Sequence, residues 1–297
     1  MGVASLTQSI EETAAGFSGR FGLWAHNLET GEELAIRADE IFSTASVIKL
    51  PVMYEVFRQA GLGRLSLDET LTLDRPNMVT GSGILKELDE GHRLTVREAV
   101  TLMIIVSDNS ATNLCIDRVG GWDAVNAGLD DLGFKHTRLN KKVFIPNPAA
   151  PGAGLGDTTP REMGTLLLRI ARRELLTPPA CDQMLDILGR QQFKEPLVRD
   201  IEEFNDDAPA DSPVSLRLAS KGGAVEGVRN EVGLFATRRG RYVLSVFTNG
   251  SRDLRFHPNN EGVVLIGRVS RLVYDAWGRG ESRPGPPVRP RRPAPGY

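Results

Sequence analysis

Strand-like runs are read only near the two ends of this chain, with helix-like runs between them. Phe21 to Asn27 (FGLWAHN) alternates, Glu29-Thr30-Gly31 turns the chain, and Glu33 to Arg37 runs back, which is a β-hairpin pattern. Leu216 to Lys221, Val228 to Thr237 and Arg241 to Asn249 give three more strands, the last two joined at Arg239-Gly240. In between, Thr95-Val96-Arg97-Glu98 is a capping box ahead of the apolar run Ala99 to Val106. Thr159-Pro160-Arg161-Glu162 offers a helix cap, a proline at the first helical position and a glutamate for the orphan amides, opening a helix to Glu174. Ser5 to Ala15 and Val263 to Trp277 carry helical spacing at either end. The expected fold class is therefore α/β in the α+β sense: an antiparallel sheet made by both chain ends, flanked by helices, plus an all-α domain. The boundaries are 1–43 with 201–280 for the sheet domain and 44–200 for the helical one. A cleft between two such units is the expected place for a small-molecule site.

Residues 281–297 (ESRPGPPVRPRRPAPGY) hold six of the eighteen prolines and cannot build a core, so a disordered Pro/Arg-rich tail is expected. Across all 297 residues, 36 Lys+Arg face 38 Asp+Glu. That near-balance argues against nucleic acid as a partner. Two cysteines exclude a disulfide scaffold, and both Cys115 and Cys181 are expected as buried thiols. No apolar run reaches the roughly 18 residues of a membrane span. The start, MGVASLTQSIEETAAG, has neither a basic opening nor an apolar core of signal-peptide length, so a cytoplasmic monomer is expected as written, an exported mature form being the alternative. The four histidines show no ligand spacing; no metal and no cofactor are expected.

The chemistry begins at Ser46-Val47-Ile48-Lys49, where the chain enters a helix. A serine hydroxyl is a weak nucleophile until a base takes its proton. Residues three apart share a helix face, so Lys49 can reach Ser46, and burial lowers a lysine toward its neutral, basic form. The N–H of Ser46, near a helix start, faces any oxyanion that forms. An isolated S-x-x-K is more often a serine cap with a surface lysine. Here it is followed by Ser107-Asp108-Asn109 after an apolar helix, and by Lys221-Gly222-Gly223 at the end of a strand. A second serine can relay a proton, an asparagine can hold a substrate amide, and a strand-edge lysine adds positive charge.

In that order the three motifs match the S-x-x-K, S-D-N, K-T-G set, and the chain resembles the class A β-lactamases and related penicillin-binding proteins. FSTASVIKLPV, VTGSGIL, LMIIVSDNSATN, TRLN, DTTP and KGGAVEGVRNEVG all fit, over residues 5 to 278. The resemblance implies Ser46 as acylated nucleophile, Lys49 as its base, Ser107 as proton relay and Lys221 as electrostatic clamp. It further implies Asn109, Gly223 and Ala224 as substrate contacts, and the N–H groups of Ser46 and Ala224 as the oxyanion hole. The implied activity is acyl transfer on an amide, lactam or ester, with a small-molecule substrate.

Two departures bear on the substrate. The family keeps a deacylating glutamate in the loop that here reads Lys141-Lys142-Val143-Phe144-Ile145-Pro146-Asn147, and Val143 stands in its place. No glutamate occurs from residue 99 to 161, so a shift of register does not supply one. Asn147 matches the loop asparagine that helps hold the water. The second departure is Gly222 where K-T-G has threonine; Arg229 on the next strand is a candidate carboxylate contact in its stead.

Overall fold

A computed structural model of the chain describes residues 2–145, 147, 154–205 and 216–279. The tail expected at 281–297 lies outside the described residues.

The chain opens with α1 (Val3–Ala14), which turns Leu6 and Ile10, four apart, inward. The expected hairpin follows as β1 (Arg20–Asn27) and β2 (Glu33–Ile36), with Leu23 opposite Ile36. After β3 (Phe42–Ser43), a single 3₁₀ turn, Ala45–Ile48, leads into α2 (Lys49–Gly61), whose side chains are buried almost all round. Next come β4 (Thr70–Thr72), β5 (Arg93–Thr95) and α3 (Val96–Ile105). The capping box at Thr95 and Glu98 is present in both directions. Helices α4 (Asn109–Val119) and α5 (Trp122–Asp131) are followed by the short β6 (Arg138–Leu139) and β7 (Gly156–Thr158). Three helices, α6 (Pro160–Ala171), α7 (Pro178–Gly189) and α8 (Glu195–Val198), return the chain to the sheet. It finishes with β8 (Arg217–Val225), β9 (Val228–Thr237), β10 (Gly240–Asn249) and α9 (Glu261–Val273), extended by one π-type turn, Tyr274–Gly278.

The main sheet runs β2-β1-β10-β9-β8, antiparallel throughout. Both chain ends build it, as the strand-like runs imply. Side chains alternate across it with period two. Leu23, Ala25, Leu244, Val246 and Phe235 enter a cluster with α1 and α9. Trp24, Val232, Leu234, Val243 and Phe247 enter a larger cluster on the opposite face, with α2 to α7. Cys115 and Cys181 are free and buried. Among the described residues no helix is long and apolar enough to cross a membrane.

Four local expectations need correction. The helix from Pro160 stops at Ala171 rather than Glu174, because Arg173 adopts φ 58° and folds its N–H back to Ile170. Thr159 caps that helix as expected, but the Glu162 carboxylate turns away from it and accepts the amides of Lys135, His136 and Thr137. Lys221-Gly222-Gly223 does not end a strand, since β8 runs on to Val225. The helical middle also contains two small sheets, β4-β5 and β3-β7-β6; strands of two or three residues are too short to show an alternation.

Candidate active site

Ser46 sits in the 3₁₀ turn, directly after Ala45 at φ 44°. A non-glycine residue in that left-handed region stores about 1–3 kcal/mol and persists only where its surroundings over-determine it. Here the surroundings are the edge strand. A Cβ on Gly223 would lie 2.7 Å from the Thr44 carbonyl oxygen and 2.8 Å from the Ser46 nitrogen. Only glycine lets β8 press its backbone against the turn. The Asn230 side chain, opposite Gly223 on β9, fastens the approach by donating to the Ser43 carbonyl at 2.7 Å.

The Ser-Asp-Asn segment is built as tightly. Ser107 has φ 55°. Asp108, 1% exposed, caps α4 by accepting the Ala111 amide at 2.8 Å, while its other oxygen accepts the amides of Ile84 and Leu85 at 2.6 and 2.9 Å. Gly83, at φ 104°, packs straight onto that carboxylate. Ser82 donates to the Ser107 carbonyl at 2.7 Å. The loop at 79–85 and the start of α4 thus hold each other.

Two buried lysines meet at Ser107. Lys49 Nζ donates to the Ser107 carbonyl at 2.7 Å, to Ser107 Oγ at 3.1 Å and to Asn109 Oδ1 at 2.8 Å. Lys221 Nζ donates to Ser107 Oγ at 3.2 Å and to the Gly222 carbonyl at 2.6 Å. Burial, then the charge of Lys221, holds the Lys49 ammonium well below the usual lysine range, with Asp108 opposing. Among the described hydrogen bonds none joins Lys49 to Ser46; the three acceptors around Ser107 and Asn109 hold the ammonium instead. Asn109 Nδ2 donates to the Thr80 carbonyl at 2.9 Å.

These groups open on one cleft of about 1040 Å³, whose walls include Ser46, Ser107, Asn109, Lys221, Gly223 and Ala224. Phe144, Phe193 and Phe256 rim it at 65%, 56% and 69% exposure. Val143 also lines it and is buried, its backbone gripped by the Asn113 side chain through bonds of 2.8 and 3.1 Å. Asn147 is not brought to the cleft wall; it is buried, and its Nδ2 donates to the Asn140 carbonyl at 2.7 Å. Arg229 lines the cleft but does not offer a free guanidinium. It donates to the carbonyls of Val225, Val228 and Arg255 at 2.6 to 2.7 Å and lies over the Phe256 ring. Three of its five N–H donors are thus committed to backbone carbonyls.

Sequence reasoning missed Glu231, 4% exposed on β9 opposite Gly222, and on the cleft wall. Its signal was a lone acid inside the apolar run Val228 to Thr237, paired across the sheet with the motif glycine. Asn113 and Ser82 were missed because backbone carbonyls and amides from other segments define their roles.

The family model described as the beta-lactamase enzyme family matches residues 5–277. A beta-lactamase of Rhodobacter capsulatus is 24% identical over 267 residues, which is 90% of this chain and 87% of that protein. The crystal structure of a beta-lactamase from Sphaerobacter thermophilus superposes with a TM-score of 0.80 at 29% identity, covering 94% of this chain and 98% of that one. The structure of PBP-A superposes at 0.78 and 30% identity, covering 92% and 96%. The sheet closed by both chain ends, the helices packed on its two faces and a match over nearly the whole described length agree, and the chain belongs to the beta-lactamase enzyme family.

Proposed function

We propose that the protein is a serine hydrolase that forms an acyl-enzyme on Ser46 with an amide, lactam or ester, and that it turns over β-lactams poorly. Neutral Lys49 takes the Ser46 proton as Oγ bonds to the substrate carbonyl carbon. The N–H groups of Ser46 and Ala224 hold the resulting oxyanion. Collapse breaks the bond to the leaving group, and Ser107 hands that group a proton that Lys49, protonated in the first step, replaces. Lys221 supplies positive charge, while Asn109, Gly223 and Ala224 line the substrate edge. Asn147 and Arg229 act here as positioning residues, the first for the 140–147 loop and the second for the segment at Arg255 and Phe256. The observation that carries this reading is the fully buried Lys49, held well below the usual lysine range and bonded to Ser107, which lines the same cleft as Ser46. The phenylalanine rim favours substrates with an apolar acyl or ester group.

Poor β-lactam turnover follows from Val143. A positioned general base for the deacylating water is worth roughly 10²- to 10⁴-fold, and a buried valine side chain has no group to accept a proton. A leucine-to-glutamate variant of PBP-A, a structural neighbour of this chain, was solved as an acyl-enzyme complex with penicillin G. The test is intact-protein mass spectrometry with penicillin G, alongside turnover of a chromogenic cephalosporin. A persistent adduct that disappears in Ser46→Ala supports the proposal. Rapid turnover without an adduct overturns the role given to Val143, and hydrolysis untouched in Ser46→Ala overturns the site.

The same Val143 favours a second reading, a penicillin-binding or sensing module that is acylated without turnover. Activated esters separate the two. The hydrolase turns them over repeatedly, whereas the module releases one equivalent and stops.

A further inference from the structure

The Lys-Gly-Gly motif leaves a gap in β8 that β9 fills. A Cβ at Gly222 would stand 2.3 Å from Oε1 of Glu231 and 3.1 Å from Oε2. The carboxyl of Glu231 therefore occupies the volume that any side chain at 222 would claim. Its Oε2 is closed off with no hydrogen-bond partner, yet the residue lines the cleft that holds Ser46. Oε1 is the oxygen nearer the empty side-chain volume of Gly222.

We propose that Glu231 is a specificity-determining residue of this cleft: as a neutral carboxyl it donates a hydrogen bond to a carboxylate carried by the substrate. The proposal rests on Ser46 being the acylated serine. A carboxylate ion enclosed without a donor is strongly disfavoured, whereas a neutral carboxyl needs only an acceptor. Burial pushes the Glu231 carboxyl up to about 8, with Lys221 pulling the other way and Glu195 adding to the rise. Burial also brings Lys221 down to about 8, against the charge of Glu231. The other charged or titratable side chains on the cleft walls are Lys221 from β8, Glu195 from α8, Glu226 from the β8-β9 turn, His257 from the loop before α9 and Lys141 from the loop after β6. Arg229, on β9 itself, is bound to three carbonyls. Below about pH 8 the pair presents an ammonium and a neutral acid. Above it the carboxyl loses its proton, and the coupled pair moves in two steps from a net positive charge toward a negative one. Recognition of a substrate carboxylate is therefore lost as pH rises through about 8.

The experiment compares acylation of the full chain by penicillin G and by its methyl ester, the same lactam with and without the carboxylate. The readout is the ratio of their second-order acylation rates, followed by intact mass at pH 6.5 and pH 9. Wild type is expected to prefer the free acid at pH 6.5 and to lose most of that preference at pH 9. In Glu231→Ala the pH 6.5 preference falls about tenfold or more, the size of a lost hydrogen bond to a charged group. Glu231→Gln, whose amide still donates, restores it to within about threefold. If the alanine variant folds poorly, Gly222→Thr with Glu231→Ala fills the same volume from β8 with a hydroxyl and restores the preference. An unchanged preference in Glu231→Ala, or one lost equally in the glutamine variant, overturns the proposal. Absence of any Ser46-dependent adduct with either compound overturns the underlying functional reading instead.

Discussion

Asp108→Asn changes one atom, and its consequences can be worked from the contacts. The carboxylate accepts three backbone amides, from Ala111 on one oxygen and from Ile84 and Leu85 on the other. An asparagine has a single acceptor oxygen. In its better orientation it keeps Ile84 and Leu85 and turns an NH₂ toward the Ala111 amide, losing the helix cap at about 1 kcal/mol. The two remaining bonds lose their charge assistance, about 1 kcal/mol each. The sum, about 3 kcal/mol, is a large share of a typical domain's stability. At about 2–4 °C per kcal/mol for a chain of this size it lowers Tm by about 6–12 °C. Chemistry suffers as well. Ser107 holds φ 55° beside this anchor, and releasing about 1–3 kcal/mol of strain lets it relax away from the two lysines. Acylation by penicillin G is expected to fall at least about tenfold. Differential scanning calorimetry and acylation kinetics on the same preparation provide the check. A Tm within about 2 °C of wild type, or unaltered acylation in a destabilised variant, would show that Asp108 does not hold this loop as argued.

Replacing Lys49 with arginine removes the base assigned to Ser46, since arginine stays protonated. Acylation is expected to fall about 10²- to 10⁴-fold. In wild type it rises with pH as Lys49 loses its proton and levels off well below the range of an ordinary lysine; the arginine variant shows no such limb in stopped-flow acylation. Val143→Glu places a carboxyl on the cleft wall, on a backbone already gripped by Asn113. It is expected to shorten the lifetime of the penicillin adduct by up to about 10²-fold, and an unchanged lifetime in the folded variant counts against a missing base. Burial raises the Cys115 thiol above its ordinary value. Cys115 and Cys181 should both resist a thiol reagent in the native protein and react fully in denaturant.

Much of this was legible in the chain itself. The five main strands follow from alternation and turn residues, and the caps at Thr95 and Thr159 from local hydrogen-bond chemistry. The three motifs marked Ser46, Lys49, Ser107 and Lys221, because each needs only neighbours within a few residues to be recognised. What the sequence could not assign were partners made across long separations. Glu162 looked like its own helix's cap but serves amides near 136. Nothing local announced that Arg229 spends three of its donors on the carbonyls of Val225, Val228 and Arg255. Lys49 looked like the partner of Ser46, yet its donors are turned to a serine and an asparagine some 60 positions on. Above all, Gly222 read as a missing hydroxyl. Only the antiparallel register, which sets Glu231 directly across the strand, shows that an oxygen occupies that volume after all. Periodicity fixes which face a residue takes; the pairing of distant strands decides what it meets there, since that pairing depends on closing the sheet through a core that no local pattern encodes.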